Sequence, residues 1–174
     1  MKQKRENTDY VARLFQLAIE RMRRLKYKPA GGILHFHAID LWPSVTMAAL
    51  DYYRQPTKSY QTVQSSFQPV LASFEYDRDA WKAGETVKSE LWLINDHREA
   101  IENARLSWQM IDRSNNLPVS KSKETTITLP PDSSFRWNEV KVVPTRAGRY
   151  TLRATIRDSK GAVISENNYE FEVK

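Results

Sequence analysis

From Val70 onward the chain alternates. In Val87-Lys88-Ser89-Glu90-Leu91, in Thr151-Leu152-Arg153-Ala154-Thr155-Ile156-Arg157 and in Tyr169-Glu170-Phe171-Glu172-Val173, apolar and polar residues exchange at nearly every step. That is the period of a strand with one face buried and one face wet. The same pattern predicts strands over 70–76, 86–95, 104–113, 125–129, 135–143, 149–158 and 162–173. Turn signals separate them: Lys82-Ala83-Gly84-Glu85, Asn95-Asp96, Ser114-Asn115-Asn116, Pro130-Pro131-Asp132 and Asp158-Ser159-Lys160-Gly161. About seven short antiparallel strands in roughly a hundred residues describe an immunoglobulin-like β-sandwich. Ala147-Gly148-Arg149-Tyr150 has the form of a tyrosine corner, and its phenol is expected to bond backbone across the sandwich.

Before Val70 the period is different. Tyr10, Val11, Leu14, Leu17, Ala18, Met22 and Leu25 recur at spacings of three and four, which predicts a helix over 7–27 with one inward apolar stripe. Arg13, Gln16, Glu20 and Arg24 fall mostly on the other side. Asn7 or Thr8 is the expected cap, Asp9 follows in the first turn, and Pro29-Ala30-Gly31-Gly32 ends the helix. Ile33–Ile39 is a short, nearly continuous apolar run, as in a strand covered on both faces. A second helix is expected over 57–67, with Tyr60, Val63 and Phe67 inward and Pro69 after it.

The expected architecture is therefore mainly β. A sandwich over 69–174 follows an incomplete helix-strand-helix α/β piece over 1–68. One strand and two helices cannot make a sheet, because the strand would leave both edges and its apolar faces open. The natural completion is a parallel sheet or a (β/α)8 barrel whose other strands lie upstream. Barrel active sites gather at the carboxyl ends of the strands. Here that end is Phe36-His37-Ala38-Ile39-Asp40-Leu41-Trp42-Pro43.

Composition narrows the chemistry. The 174 residues suffice for one domain, or one domain and a fragment. Lys plus Arg number 27 and Asp plus Glu 21, a net charge of +6. The one basic concentration, Arg21, Arg23, Arg24, Lys26 and Lys28, comes with no nucleic-acid-binding motif, so no nucleic-acid partner is expected. Without cysteine there is no disulfide, thiolate-zinc site or thiol nucleophile. No run approaches the ~18 apolar residues of a membrane span, so no membrane partner is expected. MKQKRENTDY lacks the apolar core of a signal peptide, and the compartment stays open. His35-x-His37 on a strand would put both rings on one face, as a zinc pair needs, but no third ligand is evident nearby. His97 lies in a sandwich turn, and no metal or other cofactor is expected.

The string Gly32-x4-His37-x2-Asp40-x-Trp42-Pro43-Ser44-x-Thr46 continues as Asp51-Tyr52-Tyr53-Arg54-x-Pro56-x-Lys58-x-Tyr60 and then Phe67-Gln68-Pro69-Val70-Leu71. It resembles the end of the catalytic barrel of glycoside hydrolase family 2, in the β-mannosidase-like branch. Residues 8–75 carry the resemblance, with Leu93-Ile94-Asn95-Asp96 in the sandwich. Family members follow the barrel with an immunoglobulin-like sandwich, the order read above. The chain departs from the pattern in places. Phe36-His37 stands where many relatives have Trp-Gln, Ile39-Asp40 where they have Asn-Asp, and Met47 where Trp is common.

The resemblance implies a retaining β-glycosidase with two glutamates, about 5–5.5 Å apart, acting as acid/base and nucleophile. The family places them after the fourth and seventh barrel strands, upstream of this chain. The chain is therefore expected to contribute no catalytic residue and to be inactive alone. Its expected partners are a β-glycoside in the full-length enzyme and the missing barrel portion. Phe36, His37, Asp40 and Trp42 are the expected substrate-binding residues on the sugar-site rim. The competing reading is a non-enzymatic sandwich module that binds a carbohydrate or a protein, with Trp81, Trp92, Trp108 and Trp137 as candidate sugar platforms.

Overall fold

The computed structural model describes residues 2–43 and 47–174. The chain divides into two compact units, Met1–Gln68 and Pro69–Lys174.

The second unit is a β-sandwich. Nine strands are described: β1 (Val70–Glu75), β2 (Ala80–Trp81), β3 (Val87–Asn95), β4 (Ile101–Asp112), β5 (Leu117–Lys121), β6 (Thr125–Leu129), β7 (Ser133–Val142), β8 (Gly148–Arg157) and β9 (Val163–Val173). One sheet has the order β1-β3-β7. The other runs β2-β9-β8-β4-β5, with β6 also on β4. All pairings are antiparallel except the short β2–β9 pair.

Alternation in β3 and β9 translates directly into burial. Val87, Ser89, Leu91 and Leu93 point inward, as do Ser165, Asn167, Tyr169, Phe171 and Val173. The apolar ones among them meet Leu106, Met110, Leu152, Ala154 and Ile156 in one core. Stacked rings build one side of it: Tyr76 lies on Tyr169 with centroids 3.7 Å apart, and Tyr169 lies beside Phe171 at 5.5 Å. Asn167 ties the sheets together, since its buried Nδ2 donates to the Ala72 carbonyl of the opposite sheet at 2.9 Å. Asn95, with no exposed surface, donates to the carbonyls of Glu99 (3.0 Å) and Pro130 (2.9 Å) and accepts from the His97 N–H (3.0 Å), which locks two turns at one end.

Two strands escaped the sequence pattern. β2 has only two residues, and β5 contains Pro118, which removes a ladder donor and confines the strand to a sheet edge. Tyr150 is buried as expected, but its hydroxyl donates to the Arg146 carbonyl at 2.9 Å, four residues upstream on the same chain rather than across the sandwich.

The first unit departs further from expectation. Helix α1 spans Lys2–Arg24, so the backbone at Asn7 and Thr8 is already helical rather than capping, and no acidic residue lies in the first turn. The predicted apolar stripe faces outward: Tyr10 is 64 % exposed, and Leu14, Leu17 and Met22 are at least 40 % exposed. Ala12, Ile19, Glu20, Arg23 and Arg24 are buried instead. Helix α2 spans Lys58–Ser66 and is also turned against the prediction. Tyr60 and Phe67 are exposed, while Ser59 and Ser66 are buried. At Thr57 the hydroxyl donates to the Ala49 carbonyl (2.9 Å) rather than capping α2. The two helices are joined by Arg23, whose guanidinium donates to the carbonyls of Ser66 and Gln68 at the end of α2.

No strand forms over 33–39. The segment is irregular, with bends at Phe36 and Ala38, and only Ile39 makes a bridge, parallel to Leu50. Leu34 is 96 % exposed and Phe36 is 75 % exposed. A strand needs neighbours to pair its backbone, and among the described residues no bridge partner lies beside 33–38, where Ala38 alone accepts one bond, from the Leu50 N–H. No described helix is long and apolar enough to cross a membrane.

Candidate functional site

The expected rim residues lie where the 33–40 segment ends. Asp40 is buried, at 7 % exposure. Its N–H donates to the Leu50 carbonyl (3.1 Å), while the Leu50 N–H donates to the Ala38 carbonyl (2.9 Å). The outgoing chain at Asp40 and the returning chain at Leu50 therefore form one clamped pair. Trp42, two residues on, is 60 % exposed. Ser44 and Thr46 of the motif lie outside the described residues.

His35 and His37 diverge. His37 adopts φ +64°, a left-handed conformation that breaks the two-residue alternation. Its ring stacks on Phe36, with centroids 4.0 Å apart and planes 21° apart. The His35 ring instead meets Phe15 edge-on at 4.6 Å. The shared face that a His-x-His pair needs is not formed. Among the described residues no group of three or more His, Asp or Glu is placed to hold a metal.

Burial around His35 lowers its pKa below the ordinary 6.5, and a hydrogen bond to the His37 backbone partly opposes this. The folded state thus prefers the neutral ring. Its stabilising contribution is complete above pH 6.5 and is lost as pH falls through the lower folded value. Urea midpoints of the first unit between pH 5 and 7.5 are expected to fall with acid, and His35→Phe is expected to flatten that slope. Identical slopes in both proteins would refute the assignment.

Three further carboxylates of the first unit, those of Asp9, Glu20 and Asp51, are engaged. Asp9 forms a salt bridge with Lys58 (3.0 Å), and buried Glu20 accepts from Gln16 (2.9 Å). Asp51 closes a turn: its Oδ1 accepts the N–H groups of Tyr53 and Gln55, each at 2.9 Å. The sequence motif contained this turn but gave its exposed residues no role. An aspartate accepting from the backbone two residues ahead was the available signal.

The tryptophans of the sandwich make a poor sugar platform. Trp81 is 5 % exposed with the Arg78 guanidinium 3.8 Å over its ring, and Trp108 and Trp137 pack against the core. Trp92 is half-buried, and its Nε1 donates to Glu75 (2.7 Å). An open groove of about 530 Å³ runs beside these residues, lined by Glu75, Arg78, Lys88, Glu90 and Glu139 among others. Three of its carboxylates are occupied. Glu75 holds Trp92, Glu90 pairs with Arg136 (3.4 Å) and Glu139 with Lys141 (2.6 Å).

Comparison with known proteins places this architecture. The Mannosidase Ig/CBM-like domain model matches residues 87–173. An exo-beta-D-glucosaminidase of Hypocrea jecorina is 24 % identical over 143 residues, which is 82 % of this chain and 15 % of that protein. Beta-mannosidase B of Aspergillus niger is 24 % identical over 106 residues, 58 % of this chain and 13 % of that one. Among solved structures, the beta-D-mannosidase of Dictyoglomus thermophilum superposes with a TM-score of 0.72 at 21 % identity, over 92 % of this chain and 18 % of that one. An exo-chitosanase of Amycolatopsis orientalis gives 0.61 at 16 % identity, over 97 % of this chain and 18 % of that one. This chain thus spans less than a fifth of each of these four proteins. They are of the kind that the Asp40–Tyr60 motif and the sandwich order pointed to, and half of the chain matches the domain model: the chain belongs to the Mannosidase Ig/CBM-like domain family.

Proposed function

We propose that this chain forms the C-terminal end of a retaining β-glycosidase of the β-mannosidase kind. In this reading residues 1–68 are the closing strand segment and helices of a (β/α)8 barrel, and residues 69–174 are its accessory sandwich. The observation that carries the reading is the exposed apolar surface of the first unit. Leu34 and Phe36 stand on a segment with no sheet around it, and Tyr10, Leu14, Leu17 and Met22 form an uncovered helix stripe. Large apolar side chains exposed together in this way mark a surface that another polypeptide covers. The much greater length of the relatives supports a polypeptide partner that covers it.

In this reading Asp40 and Trp42 stand at the barrel mouth, where sugars bind. Asp40 accepts from a sugar hydroxyl, and the exposed Trp42 face packs against sugar C–H groups. Phe36 and His37 line the same rim. The acid/base and nucleophile come from the covering polypeptide, since Asp9, Glu20 and Asp51 already have structural partners. The substrate is a β-glycoside of the mannoside or glucosaminide class, by analogy with the relatives.

The test is to express this chain joined to the polypeptide read in frame from its upstream coding sequence. Nitrophenyl β-mannoside and β-glucosaminide serve as substrates. The joined protein is expected to hydrolyse at least one of them and the 174-residue chain neither. Asp40→Asn in the joined protein is expected to lower kcat/KM at least about tenfold, on the order of one lost charge-assisted hydrogen bond. An upstream frame that encodes no barrel strands, or a joined protein that cleaves neither substrate, overturns the proposal.

A further inference from the structure

The Asp51–Gln55 turn is unusually well braced for a surface loop. Asp51 Oδ1 accepts two backbone N–H groups, the Asp51 N–H donates to the Gln55 carbonyl (3.0 Å), and the Arg54 N–H donates back to the Asp51 carbonyl (2.9 Å). Arg54 sits at φ +65°, a left-handed conformation held by these bonds. The turn begins one residue after Leu50, the residue clamped to the backbone of Asp40. It therefore stands at the same end of the unit as Asp40 and Trp42. This rigid turn displays an aromatic pair and a cation. The Tyr52 and Tyr53 rings meet edge-to-face, 5.2 Å apart at 83°, which fixes the orientation of Tyr53, and Tyr53 remains 67 % exposed. Arg54 is exposed, with no ion pair among the described residues.

We infer that this turn is a second carbohydrate subsite, in which Tyr53 stacks on a neutral sugar ring and Arg54 donates to its hydroxyls while repelling protonated amino sugars. An aromatic face with fixed orientation costs little ordering on binding, and a planar guanidinium offers a fork of donors to vicinal hydroxyls. A protonated amino sugar brought to the same place meets the like charge of Arg54, which no described carboxylate pairs with directly. The exposure of Leu34 has a different meaning, because it lies within the strand-like segment, where neighbouring strands cover it. Tyr53 lies beyond the carboxyl end of that segment, where barrel loops border an open cleft. That the subsite takes the sugar beyond the cleaved bond rests on the glycosidase reading. The binding itself does not.

The experiment is saturation-transfer NMR on the 174-residue chain with β-1,4-mannotriose and with the β-1,4-linked glucosamine trimer at pH 6. Mannotriose is expected to bind in the millimolar range. Tyr53→Ala is expected to weaken it about tenfold and Tyr53→Phe to leave it within about twofold. The glucosamine trimer is expected to bind at least about tenfold more weakly than mannotriose, and to gain on Arg54→Gln. Circular dichroism confirms that each variant is folded. No mannotriose signal with wild type, a signal unmoved by Tyr53→Ala, or preference for the amino sugar overturns the inference. None of these outcomes depends on whether the joined protein is a glycosidase, so the two proposals fail separately.

Discussion

Leu152→Ala is expected to cost the sandwich about 3 kcal/mol, within the range of roughly 2–5 kcal/mol for large-to-small core changes. Leu152 has no exposed surface and sits on β8, between Met110 of β4 and Tyr169 of β9. Its neighbours hang from a continuous antiparallel ladder and from stacked rings, so the backbone cannot close around the missing atoms. Four of the five tryptophans lie in this unit, so their fluorescence during urea unfolding reports on it. The matching control is Leu34→Ala. That side chain is 96 % exposed, and its removal is expected to change the stability of the isolated chain by less than about 0.5 kcal/mol. A Leu152 effect under about 1 kcal/mol would contradict the packing described here.

Arg23→Ala is the second large effect, and it is confined to the first unit. The Arg23 side chain is 8 % exposed and donates to two carbonyls, those of Ser66 and Gln68, at the end of α2. The last carbonyls of a helix have no intrahelical partner, and leaving buried acceptors unpaired costs about 1–3 kcal/mol each. The loss is expected to reach about 2–3 kcal/mol for the first unit, with hydrogen-exchange protection of α2 collapsing. Arg23→Lys, which keeps the charge but lacks the two-pronged donor, is expected to recover only part of it. Unchanged protection of α2 in Arg23→Ala would sink this account. Amide protection in β4, β8 and β9 is expected to stay as in the wild type.

These two residues mark where sequence reasoning reaches and where it stops. Leu152 was legible as inward-facing, because strand alternation is local and a sheet face is either buried or wet. Arg23 was read as part of a basic cluster, and its neighbours Glu20 and Arg24 were assigned to the solvent side. The structure buries all three and turns Leu14, Leu17 and Met22 outward. Periodicity identifies a helix and its stripe, but which partner covers the stripe is a property of the surroundings. The candidate site was partly legible as well. The motif located Asp40 and Trp42, yet the left-handed turn at His37, which separates the two histidines, and the clamp from Ala38 and Asp40 to Leu50 have no local signature.

The amino-acid sequence by itself determined the β-sandwich, most of its strands, and the kinship carried by Asp40-x-Trp42-Pro43 and Asp51-Tyr52-Tyr53, because these depend on local period and residue identity. Only the tertiary structure decided that Ile33–Ile39 forms no strand, that α1 buries its charged side, and that Tyr53 and Arg54 are held out on a braced turn. The physical reason is that pairing, burial and exposure belong to contacts between distant segments, and an apolar run acquires a sheet only where other strands are present to share its hydrogen bonds.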